Sequence, residues 1–127
     1  MKLYGRYYGT SANRPVSKAI HTQVNHRGRA PRLDLVLGGK KLQPYVHDGV
    51  VTVISGDKTV KFHVFVKNHR LLPINEIVQE WDLETTWRGD IVVMRQGVHH
   101  EFVSFRTRDA RLADFAIKRY VANISSM

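Results

Sequence analysis

Hydrophobic and polar positions alternate through Thr59-Val60-Lys61-Phe62-His63-Val64-Phe65-Val66-Lys67. In a β-strand successive side chains point to opposite faces, so Val60, Phe62, Val64 and Val66 share one side and Lys61, His63, Phe65 and Lys67 the other. The first side reads as core, and the second sets cations beside a ring. Val50 to Ile54 reads as the preceding strand, with Ser55-Gly56-Asp57-Lys58 as the hairpin turn. The spacing changes at Pro73: Ile74, Ile77, Val78 and Trp81 fall on one helical face, and Pro73 suits a first turn.

The same order of elements returns after residues 82–89. Asp90 to Arg95 reads as a strand, Gln96-Gly97-Val98-His99 as a turn, and His100 to Arg106 as the returning strand. Thr107 or Asp109 can cap a helix from Ala110 to about Ile124, with Ala113, Ala116, Ile117, Tyr120 and Ile124 on its inner stripe. Asp114 and Lys118, four residues apart, are expected to pair on the outer face. Two successive strand-strand-helix units, at about 50–81 and 90–124, predict an α+β fold. They imply an antiparallel sheet with helices on one face, within a globular body spanning 46–127. The other face would be partly open: if Val103 and Phe105 point to the helices, Phe102, His100 and Arg106 share it and echo the basic side of Thr59–Lys67, and in the opposite assignment Phe102 is the core residue.

Residues 1–45 read as a basic segment attached to that body. Tyr4, Tyr7 and Tyr8 lie among glycines and arginines, as in an arm that either docks on the core or stacks bases. Val16, Ile20 and Val24 recur at a spacing of four, predicting a short helix from Pro15 to Arg27. Asn25 to Arg32 has the composition of a loop, and Leu33 to Leu37 that of a strand ended by Gly38-Gly39-Lys40-Lys41. At 127 residues the whole chain is expected to be a single domain.

Charge turns this outline toward a partner. Lys and Arg number 20 against 11 acidic residues, a formal net charge of +9. Residues 1–45 carry nine cations and a single anion, Asp34, whereas 46–127 are nearly balanced. A polyanion is the common physical use of such asymmetry. Arg27, Arg29 and Arg32 suit phosphate contacts, because a guanidinium fork meets two oxygens at once, and Lys40 and Lys41 add point charges. Lys61, His63, Phe65 and Lys67 would add a sheet surface on which a base could stack.

Other chemistries are less well served. The chain has no cysteine, which excludes disulfides, thiol nucleophiles and thiolate metal sites. Its seven histidines offer no pair at the helical spacing of four used by zinc sites, so no metal or cofactor is expected. For metal-dependent nuclease or hydrolase chemistry, Asp90 and Glu101 lie on paired strands, but Val103 occupies the place where such a site needs a lysine. No phosphate-binding glycine loop and no Gly-x-Ser-x-Gly is present. Neither a membrane-length apolar run nor a signal-like apolar stretch is present, and the chain is expected to be intracellular.

The expectation is therefore a non-enzymatic nucleic-acid-binding module. The alternative is a protein-interaction or assembly domain in which Trp81, Trp87 and Phe102 pack on another chain or a second copy.

Overall fold

The structure, a computed structural model, describes residues 2–11, 14–21, 46–81, 86–97 and 102–125. Its strands are β1 (Lys2–Tyr8), β2 (Val16–His21), β3 (Val46–Ser55), β4 (Lys58–Lys67), β5 (Ile91–Gln96) and β6 (Phe102–Val103). A single helical turn, α1 (Glu76–Gln79), precedes β5, and a 3-10 turn at Thr107–Asp109 leads into the long helix α2 (Ala110–Ser125). The fold is α+β. All strand pairs are antiparallel, in the order β2-β1-β5-β4-β3, with β6 also pairing β5.

β5 is the middle strand. One edge pairs β4, with Lys61 to Val66 opposite Gln96 to Ile91. The other edge is shared end to end: Ile91 to Val93 pair Tyr8 to Arg6 of β1, and Arg95 and Gln96 pair β6. The chain then leaves β6 and fastens to β1, where Phe105 N donates to Tyr4 O at 2.8 Å. This attachment shortens the returning strand expected over His100–Arg106 to two residues among those described.

The N-terminal residues correct the expectation of an arm and a short helix. Lys2–Tyr8 is a strand within the sheet, and Tyr8 is fully buried. Val16–His21 is a strand, not a helix, paired with β1 from Val16 opposite Tyr7 to His21 opposite Lys2. Val16 and Ile20 are an even number apart, so they share a strand face as readily as a helix face. Arg27, the loop after it and the strand expected at Leu33–Leu37 lie outside the described residues.

The helix expected over Pro73–Trp81 is cut to Glu76–Gln79 for a local reason. Ile74 bridges Arg88, Asn75 N donates to Trp87 O, and Gly89 N donates to Pro73 O, so the backbone there is extended. Asn75 then caps α1 through its side-chain oxygen, while its amide donates to Tyr8 O and Gly89 O, both at 2.9 Å. Gly89 has φ +108, and any Cβ there would strike Lys67 O.

The core on the α2 side contains Val53, Phe62, Val64, Val66, Ile91 and Val93, closed by Ala113, Ala116, Ile117 and Val121. Tyr8 donates to Asp114, and Arg6 Nε donates to the Tyr8 hydroxyl at 2.8 Å and to Asp114 at 3.3 Å. Asp114 is thus turned inward to Arg6, and Lys118 lies over the Trp81 ring at 5.2 Å, in place of the expected Asp114–Lys118 pair. The second side of the sheet is buried as well. Phe65, Val92 and Met94 have no accessible surface, and a Cβ on Gly5 would meet Met94 Sδ at 2.6 Å.

Asn75→Ala removes one donor from each of two carbonyls, Tyr8 O and Gly89 O, together with a cap, and is expected to cost about 2–4 kcal/mol in urea unfolding. Asn75→Asp, which keeps the cap but not the amide, will not restore it. Burial and the nearby Asp90 carboxylate push the Tyr7 hydroxyl up to about 12, and burial against Asp114 pushes Tyr8 up. Unfolded tyrosines ionise near ~10, so the stability from these groups is full below that pH and is lost as pH rises through the folded values. Unfolding free energy measured at rising alkaline pH should fall in that window, and a profile flat through it contradicts the assignment.

Candidate functional site

β5 is fully buried from Ile91 to Met94 and half-buried at Arg95 and Gln96. A cleft of about 730 Å³ opens there, lined among the described residues by the Thr59–Lys61 end of β4, Arg95–Gly97, Val103, Ser104, Arg106 and Arg108. Its volume lies in the range of ligand-binding clefts, ~300–1,000 Å³. Its chemistry is cationic. Four of the ten described lining residues are Lys or Arg, and none is Asp, Glu or His.

Arg95 joins the lining of this cleft to Asp109 at the start of the helix. Arg95 NH1 donates to both Asp109 oxygens, at 3.0 and 3.3 Å, and Arg106 N donates to Oδ2 at 3.1 Å. Asp109 is almost entirely buried, and its charge is answered by Arg95 and by the positive end of α2. Lys61, Arg106 and Arg108 make no ion pair among the described residues, and they face the same opening. Three uncompensated cations around one cleft can hold phosphate or carboxylate oxygens, with the two guanidiniums suited to bidentate contact. Thr59 and Ser104 are the hydroxyl groups of this lining, and it offers them no histidine or carboxylate as a base.

The expected site residues fare unevenly. Lys61 lines the cleft, and Lys67 is half-buried at the far end of β4. Phe65 is 0 % exposed, so it offers no platform to a base. His63 is buried beside it: the rings stack at 4.3 Å and 10°, and His63 Nε2 lies 2.6 Å from Asp48 Oδ2 across the β3–β4 pair. The basic and aromatic surface expected on this side of β4 is therefore interior at its centre. Trp87 is likewise buried in the core, and Trp81 packs edge-on to Tyr8 at 5.9 Å. Phe102 lies in β6, with its side chain outside the description, and Arg27, Arg29, Arg32, Lys40 and Lys41 lie outside the described residues.

Sequence reasoning missed Arg95 and Arg108 and placed Arg106 on an open sheet face. The available signal was Arg106, Arg108 and Arg111 around Asp109 at the start of a helix, a local excess of cations hidden by counting charge over the whole of 46–127. Among the described residues no three of the His, Asp and Glu side chains converge as metal ligands. Among the described residues no helix is long and apolar enough to cross a membrane. Comparisons with protein-family models, with curated proteins and with solved structures return no match.

Arg95→Gln would leave Asp109 buried without its cation. The loss should be about 2–4 kcal/mol in urea unfolding, and Arg95→Gln with Asp109→Asn should recover part of it. Additive effects of the two substitutions would contradict the pairing.

Proposed function

We propose that the chain is a non-enzymatic nucleic-acid-binding module that holds phosphates in the cleft of Lys61, Arg106 and Arg108. The observation that carries this reading is the group of three cations without ion-pair partners among the described residues, at an opening whose described lining has no anion. The formal charge of +9 supports it, because excess positive charge raises the local concentration of a polyanion and speeds encounter. The absence of an acid or base from the described lining favours holding over reaction. In this proposal Arg27, Arg29, Arg32, Lys40 and Lys41 supply further phosphate contacts, supported by the sequence, and Lys67 adds one at the other end of β4.

The stacking role first given to Phe65 and His63 is not part of the proposal, since both are buried. A partner-binding surface built on Trp87 meets the same objection. The recurring order of strand, strand and helix is kept here as a proposed account of how the chain is assembled, with the two units joined through the β4–β5 pair.

Binding of a labelled oligonucleotide, followed by fluorescence anisotropy from about 50 to 200 mM salt, tests the reading. The wild-type affinity should fall steeply with salt as condensed counterions are released. Replacing Lys61, Arg106 and Arg108 by Gln should lower the slope of log affinity against log salt by about 2 for a single strand, at ~0.7 per contact. No binding at low salt, or an unchanged slope in the triple variant, would overturn it.

A further inference from the structure

The outer face of α2 carries a feature that the cleft does not use. Phe115 is 53 % exposed, on a helix whose apolar side is packed on the sheet. Arg111 and Arg119 lie four residues before and after it, hence in one row along the helix, and both are exposed, Arg119 with its NH1 donating to Thr52 O at 3.2 Å. Lys118 stands beside the row, and Arg108 continues it into the cleft lining. The two acids of this segment face elsewhere: Asp109 is held by Arg95, and Asp114 by Arg6 and Tyr8. The row therefore presents cations around a large exposed ring with no opposing carboxylate.

We propose that this row is a track for single-stranded nucleic acid, in which a base stacks on Phe115 while Arg111 and Arg119 hold the flanking phosphates. The inference rests on the nucleic-acid reading above and extends it from the cleft along α2. Eight residues of helix separate the two arginines by about 12 Å, at 1.5 Å per residue, far enough to contact phosphates on both sides of a stacked nucleotide. Arg108 belongs to both surfaces, so one strand passes from the cleft onto the helix without leaving positive charge. An anionic lipid surface fits less well, because membrane-lying helices bury a broad apolar face and here that face is already covered by the sheet. Duplex fits less well too, since a ring gains a stacking partner only from an unpaired base.

The test uses the full chain and labelled single-stranded and duplex oligonucleotides about a dozen nucleotides long, within the range of known single-strand sites. Phe115→Leu should weaken single-strand binding by about tenfold or more, the usual loss for a stacked ring. Its salt slope and duplex binding should stay unchanged, because the ring carries no charge. Phe115→Trp should restore affinity. Arg111→Gln with Arg119→Gln should instead lower the salt slope by about 1.4. Unfolding midpoints near wild type show that the fold survives, as expected for exposed positions.

Wild-type affinity in Phe115→Leu would overturn the track. If the Lys61, Arg106 and Arg108 triple variant has meanwhile lost binding, the cleft reading stands without it. A wild-type chain that binds no oligonucleotide overturns both. Phe115-dependent binding to anionic phosphatidylserine vesicles, with none to oligonucleotides, overturns the track in favour of a lipid surface.

Discussion

β5 is reached by water from neither face along Ile91 to Met94, and each of its edges is occupied by another strand. A strand in that position must have its backbone groups paired within the sheet and all of its side chains covered. β4 meets the requirement on one edge, and β1 and β6 share it on the other. Asn75 adds its amide to Tyr8 O, at the last pair of the β1–β5 ladder, and to Gly89 O, two residues before β5, where an unpaired carbonyl would be costly. The N-terminal strands are thus part of the sheet's interior and not an attachment to it.

The same constraint decides where charge can go. On β4 both Phe65 and His63 are buried, His63 reaching the exposed Asp48 on β3, so the middle of that face is closed to a ligand. On β5 it relaxes after Met94, where Arg95 and Gln96 are half-buried and β6 is only two residues long. The cationic cleft opens at this point. Asp109 lets Arg95 remain there without adding free charge, and Lys61, Arg106 and Arg108 are left around the opening. The nucleic-acid reading is a proposal, and it begins from this edge of the core.

The alternation in Thr59–Lys67 placed Val60, Phe62, Val64 and Val66 correctly on the helix side. It could not say whether the other side was covered, because a period of two sorts residues by face and says nothing about what lies over each face. The unbroken apolar run Ile91-Val92-Val93-Met94 was the better indicator, since strands buried on both faces lose their alternation. Val16 and Ile20 misled because a spacing of four suits both periods, and only pairing with β1 separates them. At the site, Lys61 was legible from its strand. Arg95, Arg106 and Arg108 were not, because β5, β6 and the 3-10 turn bring them together only after folding.

The central claim is that nucleic acid meets the protein at the edge where β5 leaves the core, and not on the Phe65 face. Titrating the isotopically labelled protein with a single-stranded oligonucleotide and following backbone amide chemical shifts addresses this directly. The account predicts the largest changes at residues 59–61, 95–97 and 103–108, with Val64 to Val66 and Val92 to Met94 nearly still. Largest changes at Val64 to Val66 and Val92 to Met94, with the cleft amides unmoved, would contradict it.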